Sequence, residues 1–357
     1  MNSKQAEPLH AVTPYGPTAG SSRVRVFDWM ERLADPVEVH PYAGLGTSSP
    51  KVLGRNLRRV LHAERDLKLL AGKRLDRLLL HREASPLSRG SREVRLLANA
   101  HFSAYDLDDA LYLDTGEGPR YRSLAPKATK ARLAAIHSSR VIAGNETLAE
   151  WASQHNEDVV VIPSCVDPSA YETKVSYELH DPPSIGWVGS WSTEKHLRSI
   201  TGSLQRLHER TGARITLIGA PVASGPGRLG ALETIVDRIP WSLHAQREYI
   251  SHFDVAVMPL VDDPYARGKC GYKLLQYLAV GVPSVASPVG VNRTILQQAG
   301  LPAAISEDDW YQALIDLLGA SADRRTDMGA QARRTVADHY SFDAWRSVWR
   351  RATGLDQ

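Results

Sequence analysis

The sequence predicts an α/β protein built from two Rossmann-like domains, and three observations support this prediction. The chain has 357 residues, more than one ordinary hydrophobic core contains. Short apolar strand patterns alternate with helical patterns, which is typical of parallel β-α-β units. This series occurs twice, on either side of a weakly periodic stretch with three prolines. We therefore expect a first domain at 1–163, a linker at 164–183, a second domain at 184–340 and a terminal helix at 341–357.

Six strands are expected in the first domain. A loop rich in Gly, Pro and Ser at 14–22 follows the first strand and leads into a helix. This arrangement is typical of a ligand-binding edge in an open α/β sheet, although an ordinary strand–helix turn has the same signature. The expected strands are 9–13, 37–40, 77–81, 102–105, 140–143 and 159–162.

The second domain repeats the alternation of strands and helices. A buried strand at 254–260 is followed by a loop and then by a helix that begins at Tyr272 and ends near Gly281. The other expected strands are 184–188, 214–218 and 284–286, and the other expected helices are 194–210, 291–299, 306–318 and 324–338.

Three cations lie at the entrance of the helix that begins at Tyr272. Arg267, Lys269 and Lys273 occupy the positive end of its dipole, where each cation should cost roughly 0.3–1 kcal/mol. Their presence is explained if an anion binds among them. Gly271 lets backbone N–H groups approach such an anion closely, as at other phosphate sites on helix N-termini. The alternative is a solvated basic loop, balanced by the aspartates that precede it.

The stretch Gly271-Tyr-Lys-Leu-Leu-Gln-Tyr-Leu-Ala-Val-Gly-Val-Pro283, with the strand before it and Ser284-Val-Ala-Ser-Pro-Val-Gly290 after it, carries a family resemblance. It resembles the donor-binding segment of family 4 retaining glycosyltransferases of the GT-B fold. The resemblance covers roughly 184–345 well and the first domain loosely. It departs from the family at two positions, because Gly268 and Gln276 stand where the family usually has glutamates.

The resemblance implies a fold and an activity. A GT-B enzyme has two Rossmann-like domains facing a cleft and a terminal helix that crosses back to the first domain. Phe342, Trp345 and Trp349 recur at i, i+3 and i+7 and could supply that contact. The implied reaction moves a sugar from a nucleotide-diphosphate sugar to an acceptor hydroxyl with retention of configuration. Neither a metal nor another cofactor is expected.

The resemblance also implies roles for individual residues. After the first strand of the second domain, the family places an arginine and then a lysine on the donor diphosphate. Here Ser190 replaces the arginine and Lys195 matches the lysine, so Lys269 or Arg267 would supply the missing charge. Trp241 lies where the family holds the nucleotide base, although packing in the core is the more common fate of a tryptophan. The expected donor-binding residues are Gly20, Gly189, Ser190, Trp241, Arg267, Gly271, Tyr272, Lys273 and Gln276, and the expected catalytic residues are Lys195, Lys269, Asp106 and Asp108.

The aspartates at 106–109 allow three interpretations. They could hold a divalent cation, as paired carboxylates do in the GT-A class. They could instead be a polar strand end that contacts acceptor or donor, which we favour because Tyr-Asp-Leu-Asp-Asp-Ala resembles a first-domain segment of the same glycosyltransferases. They could also be a helix cap and solvated surface. His81 follows another strand, but a lone histidine is more often structural.

Composition restricts the partners and the compartment. Residues 51–100 contain 13 Lys and Arg against 5 Asp and Glu, a net +8 in a chain whose total is +3. Such a patch suits nucleic acid, anionic lipid or a phosphorylated substrate, or is a solvated helix face. We expect no nucleic-acid partner and a weak anionic membrane contact at most. The absence of a signal peptide or membrane span, with two distant cysteines, favours a cytoplasmic protein.

Two rival functions fit the same residues, and one cysteine allows a test. A nucleotide-sugar epimerase would need no acceptor, and a nonenzymatic nucleotide-sugar-binding protein would not turn over. The acceptor could be a sugar, a natural product or a lipid-linked sugar.

Cys270 lies between Lys269 and Gly271 in the proposed phosphate loop, where nearby cations favour a reactive thiolate. A buried, inert Cys270 is the alternative.

Overall fold

The computed structural model describes residues 7–113, 126–219 and 229–356, which divide into two compact units. Unit 1 comprises the chain up to Ser164, Arg267–Cys270 and the segment from Trp345 onward. Unit 2 comprises Cys165–Ala266 and Gly271–Ala344. The loop Arg267–Cys270 thus clusters with unit 1, whereas the sequence pattern placed it inside the second domain.

Unit 1 contains a six-stranded parallel sheet in the order β2-β1-β3-β4-β5-β6. All six expected strands form, because apolar runs such as Leu78–Leu80 are buried on both faces of the sheet. The strands are β1 Leu9–Thr13, β2 Val37–Pro41, β3 Leu75–His81, β4 Ala100–Leu107, β5 Arg140–Ala143 and β6 Val159–Val161.

The helices of unit 1 cover this sheet. The first begins as α1 Gly20–Ser22, passes through a π-helical turn at Arg23–Phe27 and ends as α2 Asp28–Met30. The basic stretch that starts at residue 51 forms two helices, which are interrupted at Asn56. The remaining helices are α3 Pro50–Arg55, α4 Leu57–Leu70, α5 Ser91–Ala98, α6 Lys127–His137 and α7 Glu146–Ala152, with a 3-10 turn at Tyr42–Gly44.

Unit 2 contains a five-stranded parallel sheet in the order β11-β10-β7-β8-β9. The edge strand β9 was not predicted, since its residues are mostly half-buried or exposed and lack an apolar run. The strands are β7 Ser184–Val188, β8 Arg214–Gly219, β9 Val236–Pro240, β10 Val255–Met258 and β11 Ser284–Ala286. The α/β prediction with two parallel sheets is confirmed.

The helix expected at 194–210 forms in two parts. A 3-10 segment at Trp191–Ile200 precedes α8 Thr201–Thr211. The other helices are α9 Leu243–Tyr249, α10 Pro264–Arg267, α11 Tyr272–Val280, α12 Asn292–Ala299, α13 Glu307–Gly319, α14 Ala322–His339 and α15 Phe342–Ala352, and shorter 3-10 turns lie at Pro168–Ala170, Gly230–Ile235 and Ile250–His252. No helix among the described residues is long and apolar enough to span a bilayer.

The end of the chain packs within unit 1. The Trp349 ring stacks on the Trp29 ring, with centroids 5.0 Å apart and planes 15° apart, and Arg350 pairs with Asp35. Of the three aromatic residues expected to make this contact, Trp349 does so and is buried. Phe342 is buried as well, but it belongs to unit 2.

Candidate functional site

The unit 2 sheet has a topological switch point beside β7. From β7 the chain continues to β8 and β9 on one side, while β10 and β11 lie on the other. Ligands of open parallel sheets bind outside the carboxyl ends of the strands at such a reversal. Gly189 directly follows β7, and α11 begins after the loop that follows β10.

Gly189 is required by the packing around it. A Cβ atom at this position would lie 2.1 Å from a ring carbon of Trp187 and 2.7 Å from the Lys273 Nζ atom. Its N–H donates to the Ile218 carbonyl at 3.0 Å, which fixes the backbone at the strand end. The glycine therefore makes room for an aromatic ring and an ammonium group at the end of β7.

Lys273 is held in this space by contacts on α11 and on the loop after β7. Its Nζ donates to the Thr193 hydroxyl at 3.1 Å and lies 4.4 Å from the Trp187 ring centroid, within cation–π range. One turn further along α11, the Tyr277 hydroxyl accepts a hydrogen bond from the Val188 N–H at 2.9 Å. This bond anchors the helix to β7, so Lys273 is a positioned cation at the strand end.

Ser190 and Lys195 lie in the loop and 3-10 segment that follow β7. Both side chains are exposed, and the Ser190 hydroxyl lies 3.0 Å from the Ser192 hydroxyl. Glu194, the residue before Lys195, is buried and forms a salt bridge with Arg238 at 2.9 Å. Lys195 faces solvent on the same 3-10 segment, which also contributes the Thr193 hydroxyl that Lys273 contacts.

Three further predicted donor residues lie at the start of α11. Gly271 has a φ of +64°, and a Cβ there would lie 2.7 Å from the Ile295 Cδ1 atom, so only glycine fits. Tyr272 is half-buried against the core. Gln276 is buried, and its amide donates to the Tyr171 hydroxyl at 2.7 Å. A donor contact by Gln276 would require that hydrogen bond to be exchanged.

Trp241 directly follows β9. The residue is 43% exposed, and its indole N–H donates to the Gln246 side-chain oxygen at 2.7 Å. The expectation that it packs in the core is therefore wrong. A half-exposed indole anchored by its N–H leaves ring surface available for stacking.

The loop Arg267–Cys270 packs within unit 1. A Cβ at Gly268 would lie 2.7 Å from the Ala110 Cβ atom and 3.1 Å from its backbone nitrogen, so this position has no room for the family glutamate. The Lys269 carbonyl accepts from the Asn145 amide at 3.0 Å, and its ammonium lies 4.0 Å from Asp109. The side chain of Arg267 is exposed.

Cys270 contradicts the thiolate expectation. The residue is only 8% exposed, and its thiol donates to the Asp108 carbonyl at 3.2 Å. Burial raises the pKa of Cys270, and the neighbouring Asp108 carboxylate raises it further. The stabilisation of a thiolate by the cations near it in the sequence is outweighed by desolvation. Cys270 is therefore a protonated, buried side chain.

Asp106 lies at the end of β4 in a buried ion pair. Its carboxylate accepts from the Arg25 guanidinium at 2.5 and 3.2 Å and from His81 Nδ1 at 2.7 Å. Burial by itself raises the pKa of Asp106, but the charge of Arg25 and the hydrogen bond from His81 bring it below its usual value. Arg25 in turn donates to the Ile162 carbonyl at 2.8 Å, so the group links β3 and β4 to the residue that follows β6.

Asp108 and Asp109 are both bound by Arg82. The guanidinium donates to Asp108 at 2.5 and 3.0 Å and to Asp109 at 2.6 Å. Arg82 has a φ of +60°, a strained backbone conformation for a residue other than glycine. These carboxylates and that of Asp106 bind cationic side chains, which favours the interpretation of a polar strand end over that of a divalent-metal site.

His81 is the functional candidate that sequence reasoning underrated. It lies at the carboxyl end of β3, beside β1, where the order in which the chain adds strands to the unit 1 sheet reverses. The side chain is fully buried, and among the described residues its Nε2 atom has no hydrogen-bond partner. The signal available in the sequence was its place directly after the buried run Leu78–Leu80. Gly20, by contrast, begins α1 with no atom within 4 Å of an added Cβ.

The comparisons with known proteins agree with this architecture. Residues 182–320 match the family model described as Glycosyl transferases group 1, which spans the segment from β7 to α13. No curated protein matches the chain by sequence.

Three solved structures are similar to the chain over nearly its whole length. Sucrose-phosphate synthase from Thermosynechococcus elongatus has a TM-score of 0.70 at 14% identity, covering 98% of this chain and 100% of that one. Anabaena HepE in complex with UDP and glucose has a TM-score of 0.65 at 14% identity, covering 97% and 99%. WaaG, a glycosyltransferase involved in lipopolysaccharide biosynthesis, has a TM-score of 0.65 at 14% identity, covering 97% and 100%.

The fold is that of the GT-B glycosyltransferases. Together with the glycosyltransferase family match over residues 182–320, it supports an enzyme of the glycosyltransferase class.

Proposed function

We propose that this enzyme transfers a sugar from a nucleotide-diphosphate sugar to an acceptor hydroxyl, with retention of anomeric configuration and without a metal ion. The observation that carries the proposal is the placement of Lys273 beside Gly189, at the switch point of the unit 2 sheet. A fixed ammonium group at that edge suits the diphosphate of a donor.

The proposed chemistry is electrostatic. When the glycosidic bond breaks, negative charge develops on the leaving diphosphate, and a preorganised cation stabilises that charge more than it stabilises the ground state. Lys273 and the exposed Lys195 serve this role, and the backbone at Gly189 and Ser190 supports the phosphate. Lys269 and Arg267, which belong to unit 1, are proposed to share in this charge neutralisation.

Retention is proposed to follow from attack on the face that the diphosphate leaves. The departing phosphate then helps to deprotonate the acceptor hydroxyl, so no carboxylate nucleophile is needed. Asp106 and Asp108 fit this scheme as positioning residues, because their carboxylates bind Arg25, His81 and Arg82. His81, whose Nε2 atom has no hydrogen-bond partner among the described residues, is proposed to bind a sugar hydroxyl.

The donor base is proposed to stack on Trp241, whose ring is half-exposed at the end of β9. Since the similar HepE structure contains UDP and glucose, UDP-glucose is the first donor to test. Each UDP-, GDP- and ADP-sugar should be incubated with sugar, natural-product and lipid-linked acceptors after exhaustive chelation, and the anomeric configuration of the product determined by NMR.

Three outcomes separate the proposal from its rivals. A product with the donor's anomeric configuration, formed in chelator, supports it. An inverted product, or activity restored only by Mg²⁺ or Mn²⁺, overturns retention or metal independence. Conversion of the donor sugar without any acceptor would instead indicate the epimerase.

A weak contact with anionic membranes is also proposed, through residues 51–100. Leu57 and Leu61 are 62% and 68% exposed on the basic helix α4, as on helices that lie at a membrane surface. The double variant L57S/L61S should cosediment less with vesicles containing anionic lipid, whereas I305S, which alters an exposed residue of unit 2, should not. Equal binding of both variants would contradict the proposal.

A further inference from the structure

Two histidines and a glutamate meet on one face of the unit 1 sheet. His10 lies on β1, and Glu38 and His40 lie on the edge strand β2. In the parallel register His10 is opposite Glu38, and Val12 is opposite His40, so the three side chains share a face. This cluster plays no part in the proposed sugar transfer.

The ligand atoms of the cluster converge. His10 Nδ1 lies 3.0 Å from His40 Nε2 and 3.4 Å from a Glu38 carboxylate oxygen. His40 Nε2 lies 3.8 Å from the other oxygen of Glu38. A tetrahedral Zn²⁺ with bonds of about 2.0–2.2 Å holds its ligand atoms about 3.3–3.6 Å apart. The observed separations bracket that spacing, so small side-chain movements would complete three tetrahedral positions.

The chemistry and exposure of the three groups suit a transition metal. Imidazole nitrogens with one carboxylate favour Zn²⁺, Co²⁺, Ni²⁺ or Cu²⁺ over the oxygen-seeking Mg²⁺ and Ca²⁺. The histidine side chains are 14% and 24% exposed, while that of Glu38 is 58% exposed. The nitrogens are thus preorganised by the sheet, and the carboxylate can close over an ion that enters from solvent.

We propose that His10, Glu38 and His40 form a binding site for a divalent transition metal, which ties the edge strand β2 to β1. The fourth position is left to water. Among the described residues β2 is an edge strand whose one neighbour is β1, so a metal bridge to β1 would stabilise it against local opening.

The test uses Zn²⁺ alone, titrated into the full-length protein by calorimetry, with Co²⁺ absorption as a second readout. One Zn²⁺ per chain should bind, and Zn²⁺ should raise Tm. H10Q and H40Q should each weaken binding by more than about 100-fold, since even outer-shell partners are worth 10–100-fold. E38Q should weaken it less. With the unaltered protein, Co²⁺ should give the visible absorption bands of a low-coordinate site, and this readout does not depend on how the variants fold.

Two control histidines sharpen the result. His40 also lines a cavity of about 540 Å³ that His62 lines and His10 does not, so H62Q should leave Zn²⁺ affinity unchanged. His244 forms an exposed pair with Glu248 at 3.1 Å, and H244Q should also be neutral. Absence of stoichiometric binding by the unaltered protein, or equal affinity of H10Q and the unaltered protein, would overturn the proposal.

Discussion

The strand ends of unit 1 and unit 2 both carry charged residues, but they use them differently. In unit 1, Asp106 and Asp108 are buried and bound by guanidinium groups. In unit 2, Lys273 lies against the Trp187 ring and the Thr193 hydroxyl, in space that Gly189 leaves open. Charge holds unit 1 together, whereas unit 2 presents a cation at its switch point.

The comparison teaches that a charged motif in a sequence does not reveal what it binds. Buried carboxylates without partners are too costly to persist, and Asp106 at the end of β4 and Asp108 just after it pair with Arg25 and Arg82 from other elements. The substitutions below test whether the charges of unit 1 mainly stabilise and those of unit 2 mainly catalyse.

The largest expected effect is on stability, from D106N. Removing this charge leaves Arg25 buried without a compensating anion, which should lower the free energy of unfolding by about 3–5 kcal/mol. D237N is the matched control, because Asp237 pairs with Arg214 on the surface and such pairs are worth about 0–1 kcal/mol. Urea unfolding at pH 7 measures both variants. Similar losses of unfolding free energy in D106N and D237N would contradict the claim that the buried pair stabilises the fold more than the surface pair.

The same pair gives a pH dependence of defined sign. Because folding lowers the pKa of Asp106, its stabilisation is present above the unfolded value of about 4 and is lost as pH falls toward the folded pKa. The difference in free energy of unfolding between the unaltered protein and D106N should therefore shrink below about pH 4. A constant difference down to pH 3 would indicate that the carboxylate charge is not responsible.

The next effect is on catalysis, from K273A. Losing one preorganised stabiliser of developing charge should lower kcat/KM by about 10²–10³-fold, with little change in Tm because the side chain is only half-buried. K195A and K269A should each lose at least about 100-fold if they share the diphosphate. R198A, which removes an exposed cation from the same 3-10 segment, should retain activity. Near-native rates for folded K273A would refute the phosphate assignment.

A moderate effect is expected from G268A. The added methyl would meet Ala110 at 2.7 Å, and such overpacking typically costs about 1–3 kcal/mol. G20A is the control, because nothing lies within 4 Å of a Cβ there. Thermal unfolding should place G268A well below G20A. Equal Tm values would show that the loop Arg267–Cys270 accommodates a side chain after all.

The smallest effect is expected at Cys270. Because burial raises its pKa, alkylation near pH 7 should be slow, and no faster than at Cys165, which is also buried. Mass spectrometry after timed labelling compares the two thiols in the same sample. Rapid, selective labelling of Cys270 would show that the loop opens and exposes a thiolate.

The sequence by itself determined the repeated β-α-β organisation, all the strands except β9, and the glycosyltransferase class. Periodicity and strand-end glycines are local properties, and burial in a parallel sheet leaves a continuous apolar run that is visible without a structure. The same local logic predicted Gly189, Gly271 and Lys273 as candidates, because a strand, a glycine and the start of a helix follow one another in consecutive residues.

Only the tertiary structure decided which charges neutralise one another. Arg25 meets Asp106 across 81 positions and Cys270 meets the Asp108 carbonyl across 162, distances that no local pattern encodes. Burial raises the pKa of Cys270, whereas the cations next to it in the sequence suggested a lowered pKa. Electrostatic free energies depend on partners and solvent access in three dimensions, and both are fixed only when the chain has folded.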